Sequence, residues 1–122
     1  LIKRIHQSKV SGKNYVTVWG DGTPKREFMY VDDCAKIILK ILFNKKYFRL
    51  INIGTGEEIS IKELAETIQE IVGFKGKLYF NTSKPDGTMR KLTDITKLVQ
   101  HHWKEKTELK KGIRTLYKVF DE

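Results

Sequence analysis

From Ser60 to Gly73 the sequence specifies one helix with both of its ends marked. Ser60 and Glu63 have the spacing in which a serine hydroxyl accepts from the amide three residues on, while the glutamate returns to the serine amide. Ile61, Leu64, Ala65, Ile68, Ile71 and Val72 then recur at three- and four-residue intervals, so one side of the helix has to be buried. Gly73 follows, and glycine takes the left-handed backbone that stops a helix without steric cost. So broad an apolar stripe needs partners from the rest of the chain.

Those partners are recognisable. Residues 1–9 are expected to be helical, with a weak apolar face from Leu1, Ile2 and Ile5. After a Ser11–Asn14 turn, Tyr15 to Trp19 is a strand of β-branched and aromatic residues. Gly20-Asp21-Gly22-Thr23-Pro24 is a tight loop, and a short extended piece is expected over Glu27–Val31. Asp32 and Asp33 are expected to cap a helix bearing Cys34, Ile37, Ile38, Ile41 and Leu42, which Asn44-Lys45-Lys46 ends. Leu50–Ile53 and Lys77–Phe80 have strand character, and Thr82–Lys91 is a polar loop around Pro85-Asp86-Gly87. Asp94 is expected to cap a helix running to about Trp103. Thr107 should cap the last one, with Leu109, Ile113, Leu116, Tyr117 and Phe120 on one face. Strands and helices interleave without internal repeats, which gives an α/β class and a single compact unit over residues 1–122.

Composition narrows the function classes. Apolar residues make up 39% and charged residues 32%, the balance of a soluble globular chain with one modest core. No apolar run approaches the roughly 20 residues of a membrane span. The opening Leu1-Ile2-Lys3-Arg4 carries neither an initiator Met nor a secretory pattern, so the chain is expected to be a fragment. Cys34, the only cysteine, suits a reducing, cytoplasmic setting and is expected to be a small buried apolar residue. His6, His101 and His102 have no cysteine neighbours at metal-ligand spacing and are expected on the surface or in packing. A net charge of +9 favours anions in general: nucleic acid, an anionic surface or a phosphorylated small molecule.

Several catalytic signatures are missing. Gly20-Asp21-Gly22 and Gly54-Thr55-Gly56 start like dinucleotide loops but lack the third glycine, and each is expected to be a turn. There is no phosphate loop, no nucleophile elbow, and no tyrosine followed four residues later by lysine. Lys84, Arg90 and Lys91 flank the Pro85–Gly87 turn, Arg26 follows the glycine loop, and Trp19 precedes it. These residues suit a diphosphate gripped by paired hydrogen bonds beside a stacking ring. A solvated charged loop and a core tryptophan account for the same residues.

The stretch Val16–Asp33, with its Arg-x-Phe-x-Tyr-Val-x-Asp pattern, resembles extended short-chain dehydrogenase/reductases acting on nucleotide sugars, as does Asn52-Ile-Gly-Thr-Gly56. Phe80–Asp94 is similar to a loop of the GDP-L-fucose synthases, GDP-4-keto-6-deoxy-mannose 3,5-epimerase/4-reductases. Trp103 and the helix after it fit that family too, so the likeness runs along essentially the whole chain. Two departures are Met89, where the family more often has proline, and a shorter link between Leu42 and Leu50.

The resemblance implies a substrate-binding C-terminal portion of a Rossmann-type enzyme. NADP(H) and all catalytic residues would belong to an N-terminal part absent here, and the chain alone would be inactive. It implies GDP-sugar contacts at Arg4, Trp19, Arg26, Asp86 and Lys91. Arg26 and Lys91 would hold the diphosphate, Trp19 would pack near the sugar or its phosphates, Asp86 would accept from hydroxyls or base, and Arg4 would line the same cleft. It also implies a GDP-linked keto sugar as ligand, a homodimeric parent, no nucleic-acid or membrane partner, and exposed apolar surface around Asp32–Ile53. The rival readings are another nucleotide-sugar reductase or epimerase (GDP-heptose, UDP or dTDP type), a basic nucleic-acid-binding module, and an interaction fragment without ligand.

Overall fold

The computed structural model describes residues 1–43, 50–103 and 106–121, with the side chains of Phe120 and Asp121 excluded. The elements, in order, are α1 (Ile2–Val10), β1 (Tyr15–Trp19), β2 (Lys25–Glu27), α2 (Val31–Phe43), β3 (Glu58–Ser60), α3 (Ile61–Val72), β4 (Lys77–Asn81), β5 (Arg90–Lys91), α4 (Thr96–Gln100) and α5 (Leu109–Asp121). The fold is α/β, with two small sheets in place of one large one. β1 and β4 run parallel, Tyr15 opposite Lys77 through Trp19 opposite Asn81. The second sheet has the order β3-β2-β5, antiparallel on one side of β2 and parallel on the other.

The helix that the sequence marked most strongly is the centre of the molecule. Ser60 Oγ accepts from the Glu63 amide at 3.1 Å, and the Ser60 amide donates to Glu63 Oε2 at 3.0 Å, closing the expected capping box. Gly73 ends α3 in the left-handed conformation, with φ 71°. Leu64, Ile68 and Val72 pack with Ile5 of α1, Val16 of β1, Phe74, and Ile113 and Tyr117 of α5. β1 contributes through simple alternation: Val16 and Val18 are buried while Tyr15 and Trp19 are exposed. Gly112 lets α5 approach residue 30, since a methyl group there would stand 3.2 Å from the Tyr30 ring.

Several local expectations shift. The extended piece after the glycine loop is Lys25–Glu27, and α2 already begins at Val31. Asp32 and Asp33 therefore lie in the first turn of α2, where the helix dipole still favours them. Asp33 is buried and accepts from the Thr107 amide and, at 3.1 Å, from the Thr107 hydroxyl. Thr107, expected to accept from the amides at the start of α5, thus donates to a carboxylate of α2, and a hydrogen bond to an ionised acceptor is stronger than a neutral one. Residues 50–53 pair with no strand among the described residues, and the ladder forms instead at Glu58–Ser60. A β-rich composition suits a half-buried surface, and pairing needs a neighbour as well.

Asp94 sits one residue earlier than expected, its Oδ1 accepting from the amide and hydroxyl of Thr96. Cys34 is partly exposed, and His6 Nδ1 stands 3.1 Å from the Tyr117 hydroxyl. The expected stop at Asn44-Lys45-Lys46 lies outside the described residues, as does the Phe120 side chain. Exposed apolar surface is present on α2, where Val31, Leu42 and Phe43 are 70%, 71% and 80% accessible. No described helix is long and apolar enough to cross a membrane.

Because α3 serves three neighbours, its stripe should dominate stability. Ile68→Ala is expected to cost about 2–5 kcal/mol, against about 0.5–2 kcal/mol for Ser60→Ala. Urea unfolding curves of the two variants give the comparison.

Candidate functional site

Parallel strands β1 and β4 end side by side at Trp19 and Asn81, and the loops leaving them form one polar edge. Open parallel sheets characteristically bind ligands beyond the carboxyl ends of their strands, where backbone groups are left unpaired. Here the Gly20 amide donates to the Asn81 carbonyl at 3.0 Å, and the Asp21 amide donates to Asp86 Oδ1 at 2.8 Å. The two loops touch so closely that a methyl group on Gly20 would fall 1.8 Å from Asp86 Oδ1, and φ there is 79°. Only glycine meets both requirements.

Trp19 is 58% exposed at this edge and is not a core tryptophan. The Lys84 ammonium lies 5.9 Å from its ring centroid, a cation–π distance. Asp86 already has one oxygen engaged by Asp21, and a carboxylate retains further acceptor capacity. Arg26 donates from Nη1 to the carbonyl of Lys25 at 2.7 Å, and a side chain at Gly87 would meet its Nη2 at 3.6 Å. Arg26 and Lys91 are register partners across β2 and β5, so both project from the same face of that sheet.

Trp19, Asp86 and Arg26 therefore stand beside the 81–87 loop, and Lys91 shares the face of Arg26 on the second sheet. Arg4 is more distant from that group. Its Nη1 donates to the Thr17 carbonyl at 2.9 Å, and it lines an open groove of about 690 Å³ in which Trp19 is the only other member of the set. Arg90, grouped in the sequence with Lys84 and Lys91, faces the other way. Its Nε donates to Glu58 Oε2 at 2.8 Å, which raises the guanidinium pKa still further through that hydrogen bond and the carboxylate charge.

Glu27 is the residue that sequence reasoning missed. Its Oε1 accepts from the amides of Thr55 and Gly56 at 2.5 and 2.6 Å, and its Oε2 accepts from the Thr93 amide at 3.0 Å. Burial pushes this carboxyl up. Hydrogen bonds from the Thr93 side chain and from the amides of Gly56, Thr93 and Thr55 outweigh burial and hold it below the ordinary glutamate range. The same contacts show what the Gly54-Thr55-Gly56 loop does: its amides face a protein carboxylate, so a cofactor phosphate finds the nest filled. In the Gly20 loop, likewise, Asn81 and Asp86 take the amides of Gly20 and Asp21. Neither glycine loop of this chain fits a dinucleotide.

A family model described as "NAD dependent epimerase/dehydratase family" matches residues 1–54. A probable GDP-L-fucose synthase 1 from Oryza sativa subsp. japonica is 46% identical over the whole of this chain, which corresponds to 37% of that protein. The chain belongs to the NAD dependent epimerase/dehydratase family. It spans a little over a third of the length of the curated relatives it matches, 37% for the rice protein. Two solved structures carry the same architecture. One is a GDP-L-fucose synthetase from Naegleria fowleri, with TM-score 0.87 and 29% identity, covering 93% of this chain and 35% of that one. The other is a GDP-mannoheptose C4 reductase from Campylobacter jejuni with NADP bound, with TM-score 0.83 and 34% identity, covering 99% and 43%.

Two consequences follow for this part of an epimerase/dehydratase fold. Gly20→Ala forces a strained backbone and a collision with Asp86, at a cost of roughly 1–3 kcal/mol. Hydrogen exchange should register it as lost protection of the Asp21 amide. For Glu27 the folded pKa lies below the unfolded value of about 4.3. Its contribution is then complete above that value and is lost as pH falls through the lower folded pKa. Melting temperatures of the native protein and Glu27→Gln are expected to converge as pH drops from about 6 to about 3.

Proposed function

We propose that this chain is the GDP-sugar-binding part of an NADPH-dependent epimerase/reductase that converts GDP-4-keto-6-deoxy-mannose to GDP-L-fucose. The observation carrying this reading is that Trp19, Asp86 and Arg26 stand beside one loop, with Lys91 on the face of Arg26, in a chain whose relatives are named for that GDP-sugar. A planar guanidinium and an ammonium on one face suit a diphosphate, which accepts several charge-assisted hydrogen bonds. Trp19 offers an exposed ring for the sugar or base, and Asp86 offers a carboxylate oxygen for hydroxyl or ring N–H donors. Arg4 lines the flank of the same ligand, across Trp19.

The reaction explains why such contacts are needed. Inverting C3 and C5 beside a 4-keto group requires an acid and a base within hydrogen-bond reach of two ring carbons. A sugar that rocks between poses loses most of that advantage, whereas binding energy from the remote GDP holds it still. NADPH, when bound, supplies the hydride that reduces C4. Its site lies outside this chain in this reading, since both glycine loops have their amides engaged internally. The same contacts serve a second reading, a GDP-linked heptose reductase, which the likeness to the Campylobacter jejuni enzyme favours.

The test is NADPH oxidation by the full-length protein given GDP-4-keto-6-deoxy-mannose, beside Arg26→Ala. We expect oxidation by the native protein, and a KM raised about tenfold or more with a smaller change in kcat in the variant. A folded, NADPH-binding protein that leaves this substrate untouched overturns the fucose reading, and turnover of a GDP-linked keto-heptose would then establish the second.

A further inference from the structure

β5 is a strand of only two residues, Arg90 and Lys91, yet it carries one of the two cations assigned to the diphosphate in the proposed site. Pairing that short is marginal by itself, because each residue adds little beyond the entropy lost in fixing it. What holds β5 lies on the opposite face of the sheet. Side chains alternate along β2, so Lys25 and Glu27 point away from Arg26, as Arg90 points away from Lys91. Across the antiparallel pair, Glu27 stands opposite Glu58. These two carboxylates grip β5 at either end. Glu58 takes the Arg90 Nε at 2.8 Å, with the Lys25 ammonium 3.7 Å from its other oxygen, and Glu27 takes the Thr93 amide at 3.0 Å. Lys91 lies between the two fastenings.

We propose that Glu27 and Glu58 are positioning residues for the ligand's diphosphate: they clamp β5 from behind and so hold Lys91 opposite Arg26 at the spacing two phosphate groups require. This rests on the GDP-sugar reading of the site. Neither acid touches the ligand. Like charges directly opposite each other would ordinarily disfavour the pair. Each is answered separately here, Glu27 by backbone amides and Glu58 by Arg90 and Lys25. An amide or hydroxyl in either place would hold the strand less firmly, since hydrogen bonds to an ionised acceptor are about twice as strong.

The experiment is a double-mutant cycle on GDP affinity, measured by calorimetry on the full-length protein with Glu27→Gln, Lys91→Ala and both together. A positioning role predicts a dissociation constant raised about tenfold by Glu27→Gln alone, and by less than about twofold when Lys91 is already alanine. A loss that is equal in both backgrounds means that Glu27 acts only through general stability, and overturns the proposal. If Lys91→Ala leaves GDP affinity unchanged, or if the native protein does not bind GDP, the ligand reading itself fails and the positioning role falls with it. Should Glu27→Gln not fold, Glu58→Gln, which frees the other end of β5, enters the same cycle and decides by the same criterion.

Discussion

Leu64, Ile68 and Val72 bury one stripe of α3 against Ile5, Val16, Ile113 and Tyr117, and α1, β1 and α5 take their places from that contact. α1 and α5 flank α3, and β1 lies beneath. The start of α3 is continuous with β3, so the helix that organises the core also delivers Glu58 and Ile59 to the second sheet. The Ile61 and Lys62 amides donate to the carbonyls of Pro24 and Gly22, which pins the loop between β1 and β2 to the same helix start. A hydrophobic stripe far from the polar edge thereby decides where that edge can form.

The positive charge of the chain is arranged with the same economy. A net +9 would repel itself if spread evenly, and part of it is answered at defined points: Arg90 and Lys25 at Glu58, Lys110 at Glu70, Lys106 at Glu57. Exposed pairs of this kind contribute little to stability. Their larger effect is on which cations remain available. Lys91 has no carboxylate within salt-bridge distance among the described residues, and Arg26 makes its hydrogen bond to a carbonyl, so both remain available to an outside anion.

How much of this was legible in the sequence follows from how far each signal reaches. The Ser60–Glu63 capping box, the Gly73 stop and the alternation of Val16 and Val18 are settled within a few residues, and all three are observed. The α/β class was likewise readable, and Trp19, Arg26 and Lys91 stood out as residue types beside turns, whereas Asp86 entered as a candidate through the family resemblance alone. Glu27 was not, because its partners stand 28 and 66 residues away and nothing around Arg26-Glu27-Phe28 announces them. The direction of Arg90 was also out of reach. Arg90 and Lys91 are adjacent cations, and only the register of β5 on β2 decides which shares a face with Arg26; a slip of one residue exchanges them. Residues 50–53 failed as a strand for a related reason, since composition does not reveal whether a neighbour is present to pair with.

As the proposed holders of a diphosphate, Arg26 and Lys91 are not equivalent, and the difference bears on how rigidly a sugar beyond it would be held. Lysine is a compact charge on a flexible stem, so it contributes attraction and little direction unless its backbone is fixed. Arginine carries a planar fork, and here one arm is already tied to the Lys25 carbonyl at 2.7 Å while the other lies beside Gly87. With that arm tied, fewer rotamers are lost when a ligand binds, which is preorganisation in its ordinary thermodynamic sense. Gly87 matters to the same end, because its φ of 77° is a conformation that L side chains rarely adopt, and the turn beside Nη2 depends on it. In the proposed site the orientation of a bound diphosphate would depend on Arg26, and its spacing on where β5 places Lys91. Both trace back to main-chain register, which a packed helix and two rearward carboxylates hold more firmly than side-chain contacts at the ligand would.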